Sequence, residues 1–489
     1  MLRVGRVAVV AVWCGLLLAL ARSQWPSAPS VSAPPVTAAT LPADDAWMGV
    51  YMRGEKVGYS HSRMTPVDGG YHLEESSLLR LSVLDRVQTV RATVDATTAA
   101  DFALRDFTVS LDSDLGAFDV RGRVEHETLL LRIAAGGDHS EQRIALGEPI
   151  YLPTSARARL RAGALAAGHT ITVRAFDPSA MEHQPLEMRV LGREPVAVGG
   201  VTVEAWKVHE RFREMETTVW LDDQGRALRE EGPMDMVVER EDAARAIGAG
   251  WGENPFDLMG AIAVRVREPL PDPRNLQRLS VRIAGTGDLS IPTDHRQSLR
   301  DGVLRVDREP VTVATYTLPY RDGEWLGELT ATPFLQTEHP RIQSTARDIV
   351  AGERNPRQAA ERLRRWVYDT LEKRPLASVP NAVQVLEMGA GDCNEHAVLF
   401  AALARAAGLP TRVVAGLVYA DGVFLYHAWD EVWLGESWVS VDPAFDQMPA
   451  DATHVKLLEG GPERHATLVP VLGKLSLDVL PDGPGQGDS

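Results

Sequence analysis

Cys393 stands in the segment GAGDCNEHAVLFAALARAAGLP, where glycines lead into Asp392 as a helix cap and Glu395 follows three residues later, the pattern of a capping box. Ala397, Phe400, Ala401 and Ala404 then share one apolar face, and Gly408 with Pro410 ends the element, so Cys393 is expected as the first residue of a helix. A thiol at that place feels the positive end of the helix dipole and the unpaired backbone amides, which favour thiolate and could also hold an oxyanion. Such a nucleophile needs a base. Downstream, VFLYHAWDEVW and SWVSVD read as two strands joined by a turn around Leu434, Gly435 and Glu436. If Leu434 and Gly435 form the loop, His427 falls opposite Asp442; if Gly435 and Glu436 form it, Asp442 falls opposite Trp429 and His427 is its diagonal neighbour. Either register puts imidazole and carboxyl on one face. The chemistry this implies is acyl transfer: Cys393 attacks a carboxamide or peptide carbonyl, His427 takes the thiol proton and returns it to the leaving amine, and Asp442 fixes the imidazole tautomer. Water resolving the thioester makes a hydrolase, and an amine makes a cross-linker or transamidase.

The neighbouring residue types are read as structural. His396 lies one turn from Cys393 and would not be oriented by Asp442, and His454 in DATHVKL could line the cleft but is taken as structural, as a lone histidine near a strand usually is. Trp429 and Trp433 alternate with His427 and could shield the site from water, although strand aromatics more often belong to the core, while Asp430 and Glu431 are expected to face solvent or to bond within the sheet.

The elements that must position these groups begin after about Pro333. Asn355 caps and Pro356 opens an amphipathic helix with Ala359, Leu363, Trp366, Val367 and Leu371 on one face, ending before Pro375. Upstream the pattern is strand-like. Phe118 to Arg121 and Leu186 to Val190 alternate apolar with polar, and Asp222-Asp223-Gln224-Gly225 divides a hairpin between Thr217 and Leu228. At the amino terminus Arg3 and Arg6 precede the apolar run Val7 to Ala21, which reads as an export signal or a retained anchor. The expected organisation is a signal peptide or membrane anchor at 1–21, a Pro/Ser/Ala linker at 22–45 and a β-rich domain at 46–241. A junction at 242–260, a second β-rich block at 261–332, a catalytic core at 333–460 and a C-terminal strand and tail at 461–489 follow.

Composition narrows the function classes. In 489 residues, 44% hydrophobic and 24% charged content is that of a folded protein. A net charge of -16 has the wrong sign for a nucleic-acid partner. Two cysteines exclude a disulfide scaffold and a multi-thiolate metal site, and removal of the segment holding Cys14 leaves Cys393 alone. P-loop, H-E-x-x-H, G-x-S-x-G and dinucleotide-loop patterns are absent from the sequence.

The segments GDCNEHAVLFAALARAAGLPTRVVAGLVYADG, YHAWDEVWLGESWVSVDPA and DATHVKL together resemble the bacterial exported branch of the transglutaminase-like superfamily, over about Ala382 to Leu458. The resemblance implies an α+β fold with a papain-like core, the thiol helix packed on an antiparallel sheet behind β-rich domains, and Cys393, His427 and Asp442 as the catalytic triad. It leaves the reaction open, because peptidases, amidases, cross-linking enzymes and inactive members share it. Gln384 does not match the spacing of the papain-type oxyanion glutamine, so the Cys393 backbone amide is the expected donor. No D-x-D-x-D-G loop supports calcium, and neither cofactor nor metal is expected. The expected protein is a periplasmic or otherwise extracytoplasmic enzyme acting on a peptide or protein, more as a hydrolase than as a transamidase. Its β-rich region is free to meet an envelope partner, and its only membrane contact is the amino-terminal segment if that is uncleaved. A catalytically silent envelope scaffold is the reading from another class.

Overall fold

The computed structural model describes residues 41–481 apart from 84–85, 114–115, 136–137, 164, 178–181, 213–214, 249–250, 253–254, 311–312, 322 and 375–380. The export segment, most of the proline-rich linker and the tail after Pro481 lie outside the described residues. Strands hold 48% and helices 22% of the described residues, which are therefore strand-rich rather than evenly α+β. The described residues divide into two compact units, one ending at Leu258 and one beginning at Met259. No helix among them is long and apolar enough to cross a membrane.

In the first unit, antiparallel strands run hairpin by hairpin from Asp44–Met52 out to Asp138–Ala145. A second arm returns from Thr170–Asp177 to Met236–Glu241, which pairs with the first strand, Trp47 opposite Glu241. The alternation seen in the sequence sets the inner face: Leu186, Met188 and Val190 are buried, while Arg189 between them is exposed. The helix Pro153–Ala162 joins the arms, and its Ala156 and Leu160 share one core cluster with Tyr71, Phe107 and Leu129 of one arm and Val173, Met188 and Val208 of the other. The sheet therefore curls around this helix. The Asp222–Gly225 turn falls where its residue types suggest, with the Gly225 amide donating to the Asp222 carbonyl at 2.9 Å between the strands Met215–Leu221 and Ala227–Gly232.

The second unit holds the chemistry. Its five-stranded sheet is built on Val423–Trp433, flanked along one side by Thr411–Ala420, which in turn pairs with Val455–Glu459. Two short strands share the other side of Val423–Trp433 at opposite ends, Val264–Arg265 against Val423 and Phe424, and Trp438–Val441 against Asp430 to Trp433. The helix Cys393–Ala406 packs on this sheet and is itself covered by the helices Pro340–Val350, Pro356–Thr370 and Ala382–Met388. Every residue from Cys393 to Arg405 is buried, so the helix has no solvent face, as expected of one enclosed on all sides. In Pro356–Thr370 the Asn355 side chain accepts from the Gln358 amide at 3.2 Å, and Ala359, Leu363 and Val367 form the buried stripe. Trp366, expected with them, is half-buried. A four-stranded sheet joins Arg278–Ala284 to Ser476–Val479, two segments that the sequence assigns to separate blocks.

Candidate active site

The thiol is placed by its cap. Asp392 accepts from the Asn394 amide at 3.1 Å, and the Glu395 carboxylate reaches back to accept from the Asp392 amide at 2.8 Å. Gly391 is required just upstream, because a Cβ there would lie 2.2 Å from the Glu395 Cβ. The imidazole is placed by the strand Val423–Trp433 and the carboxyl by the end of Trp438–Val441. The observed register pairs Asp430 with Val441, which by continuation sets Asp442 across from Trp429 and makes His427 its diagonal neighbour. This is the second of the two registers open in the sequence. Gly435 explains the choice: its φ of 107° belongs to a loop of Gly435 and Glu436, with the Leu434 amide donating to the Ser437 carbonyl at 3.1 Å. An isolated bridge between Asp442 and Gln447 then turns the chain.

The Cys393 Sγ accepts from the Ala428 backbone amide at 3.4 Å, so the sulfur lies against the peptide that follows His427. His427 Nε2 meets Asp442 Oδ2 at 2.7 Å, and His427 Nδ1 is buried with no hydrogen-bond partner. Asp442 Oδ1 accepts from the Ala444 and Phe445 amides at 2.7 and 2.9 Å. A carboxylate only accepts, so the His427 proton sits on Nε2 and the unshared pair on Nδ1. Burial alone would raise the Asp442 carboxyl, but His427 and then His454 outweigh it and hold it well below the usual carboxylate range. The site is closed: Cys393 and His427 are each 2% exposed and Asp442 is fully buried. Phe445 and Trp429 enclose the imidazole, with ring centroids at 5.1 and 6.1 Å.

Three expectations change. The helix dipole was expected to lower the Cys393 thiol, yet burial first and the Asp392 carboxylate second push it well above its ordinary value, with only the Ala428 amide among the main influences acting to lower it. A resting thiol, rather than a standing thiolate, follows. Asp430 does not face solvent. It is fully buried, neither oxygen has a hydrogen-bond partner, and burial pushes its carboxyl well above the ordinary carboxylate value. His454 is not an isolated strand histidine: its Nε2 lies 2.9 Å from the same Asp442 Oδ2 that His427 uses. His396 stays apart, with Nδ1 2.6 Å from the Asp392 carbonyl and a pKa pushed down by burial to about 4.

Glu431, by contrast, bonds within the sheet as expected. Lys456 Nζ lies 2.8 Å from its Oε1, 2.5 Å from Asp294 Oδ2 and 2.9 Å from Glu459 Oε1, while Arg412 bridges Glu431 and Glu459. Among the described residues, two groups bring three potential ligand residues within metal-binding reach: Asp294 with Glu431 and Glu459, and His427 with Asp442 and His454. In the first, the Lys456 ammonium already supplies the cation. In the second, hydrogen bonds account for all three ligand atoms. Gln384 Oε1 is taken by the Asn381 amide at 3.0 Å in the cap of its own helix.

A thiol at a helix start, resting on the peptide that follows a strand-borne imidazole fixed by a carboxylate, belongs with a cysteine-dependent enzyme family. Residues 343–443 match the transglutaminase-like superfamily, and this part of the chain is a domain of that superfamily. The matched span contains Cys393, His427 and Asp442 and ends before His454. Residues 50–235 match a second family, the protein of unknown function DUF3108. No curated protein matches the chain. Among solved structures, a candidate cysteine protease from Cytophaga hutchinsonii is 16% identical over 44% of this chain and 78% of its own, with a TM-score of 0.28. A β-barrel-like DUF1849 protein from Brucella abortus is 12% identical over 42% of this chain and 99% of its own, with a TM-score of 0.32. A candidate protease from Parabacteroides distasonis is 9% identical over 67% of this chain and 64% of its own, with a TM-score of 0.20.

Proposed function

We propose that this chain is an exported cysteine-dependent acyl-transfer enzyme that cleaves peptide or carboxamide bonds through a thioester on Cys393, acting as a peptidase or amidase. The observation that carries the proposal is the commitment of His427 Nε2 to Asp442, which leaves the buried Nδ1 unpaired, together with the Cys393 sulfur on the backbone amide of the next residue, Ala428. His427 Nδ1 takes the thiol proton as Sγ adds to the carbonyl carbon, and the Cys393 backbone amide at the helix start steadies the oxyanion. The C–N bond breaks, the imidazolium gives its proton to the leaving amine, and the acyl group stays on sulfur. Water, deprotonated by the same nitrogen, then releases a carboxylic acid and restores the thiol. Asp442 holds the ring and offsets the charge of the transient imidazolium without taking its proton.

Water is the expected acceptor because it is the default acceptor of an open thioester. The segment Arg3 to Ala21 supports export to an extracytoplasmic compartment. The curled β unit then has the role of positioning the peptide or protein substrate or of meeting an envelope partner. The test is incubation with glutamine-containing peptides and a labelled primary amine. Cleavage or ammonia release without label incorporation is expected, in wild type and not in Cys393→Ala. Incorporation would make the enzyme a transamidase, and no Cys393-dependent product from any peptide would favour the silent scaffold.

A further inference from the structure

Asp442 is the acceptor for two imidazoles at a single oxygen. His427 Nε2 approaches Oδ2 at 2.7 Å and His454 Nε2 at 2.9 Å, while Oδ1 is tethered by two backbone amides. Behind His454, Nδ1 lies 3.2 Å from the Asp451 carbonyl and 3.3 Å from Asp451 Oδ1. Asp451 Oδ2 in turn forms a salt bridge to Arg274 at 3.0 Å, and Arg274 stacks over the Phe445 ring that packs on His427. His454 is fully buried and its ring stands edge-on to both Trp429 and His427, so it has one orientation available. The chain of contacts runs Arg274, Asp451, His454, Asp442, His427, and it stops at the unpaired Nδ1.

We propose that His454 is a positioning residue for the acyl transfer, a second donor that pins the Asp442 carboxylate so that His427 keeps its proton on Nε2 and presents Nδ1 to the thiol. This rests on the reading of Cys393 and His427 as nucleophile and base. A carboxylate held by one imidazole and two amides retains freedom to swing Oδ2 about its Cα–Cβ and Cβ–Cγ bonds. The second imidazole removes that freedom, and it also stabilises the ionised form that the His427 tautomer depends on. The residue lies outside the span matched to the superfamily, immediately before the strand Val455–Glu459, which pairs with Thr411–Ala420.

Two readouts test this in full-length protein, nitrophenol release from p-nitrophenyl acetate and the side-chain 15N spectrum of His427. His454→Ala is expected to slow release by about 10- to 100-fold, the range of one charge-assisted hydrogen bond, and to let a population protonated on Nδ1 appear. His454→Gln, whose amide can donate to Oδ2, is expected to recover most of the rate and the Nε2-protonated spectrum. A merely structural role would not give rescue of the tautomer. Wild-type rate and spectrum in His454→Ala overturn the proposal, as does a His454→Gln protein that is folded but as impaired as the alanine variant. If wild type itself releases no nitrophenol, the proposed enzyme activity fails, while the His427 spectra of the three proteins still decide the role of His454.

Discussion

Asp442→Asn is expected to lower Cys393-dependent acyl transfer by about 10⁴-fold, the size of effect found when a hydrolase triad is left with the wrong tautomer. The reason is specific to the partners seen here. Asparagine can keep its oxygen on the Ala444 and Phe445 amides, and its NH₂ then faces His427 Nε2 and His454 Nε2. An NH₂ group donates, so His427 must accept at Nε2 and move its proton to Nδ1, where it blocks the very nitrogen that should receive the thiol proton. The variant also reports on stability with a defined sign. Because the native Asp442 carboxyl lies well below the usual range, it contributes stability above the unfolded carboxyl pKa and loses it as pH falls through the folded value. Asp442→Asn should therefore melt below wild type at neutral pH, and the gap should narrow on acidification below about pH 4. Nitrophenol release together with melting curves across pH checks both statements. A variant retaining a tenth or more of the wild-type rate contradicts the tautomer account.

Lys456→Met is expected to destabilise the second unit by about 3–5 kcal/mol, the cost of removing one partner from a buried ion pair. Lys456 is 1% exposed and touches Asp294, Glu431 and Glu459; methionine fills similar space but leaves those carboxylates with only Arg412 between Glu431 and Glu459. Asp294 keeps the Arg296 and Gln297 amides at 2.8 Å each, so the largest part of the loss falls on Glu431, the most enclosed of the three. The Gln297 side chain meanwhile grips the Lys456 backbone at both N–H and C=O, at 2.8 and 2.7 Å, which keeps the strand Val455–Glu459 in place around the lost charge. Urea unfolding followed by tryptophan fluorescence measures the change, and a loss below about 1 kcal/mol would mean that the network is solvated like a surface pair.

The parts of the site that were legible in the sequence are those fixed locally. The Asp392–Glu395 capping box announces where the Cys393 helix starts, and the short loop between two strands confines His427 and Asp442 to one face in either register. What resisted reading depends on partners distant in the chain. His454 reaches Asp442 because Thr411–Ala420 pairs on both of its sides, with a register shift at Ala415 and Gly416 on the Val455–Glu459 side. Asp430 and Glu431 could be read only as solvent-facing or bonded within the sheet, and Val423–Trp433 is covered on both faces, so alternation along it carries no solvent side. Glu431 is met by Lys456 and Arg412, whereas neither Asp430 oxygen has a hydrogen-bond partner. The Cys393 thiol shows the same limit: its position at a helix start was plain, whereas the burial and the Asp392 carboxylate that outweigh the dipole emerge only from packing. In the first unit the strand alternation was readable, but not the return of Met236–Glu241 to pair with Asp44–Met52, a contact between opposite ends of the unit.

The most direct measurement is the intact mass of the protein quenched during turnover of p-nitrophenyl acetate, followed by peptide mapping. One acetyl group on Cys393 is expected in wild type, with none in Cys393→Ala and at least a hundredfold slower formation in His427→Ala, within the usual contribution of a general base. Acetylation elsewhere in the chain, or on Cys393 at an equal rate without His427, would contradict a nucleophilic thiol served by that imidazole.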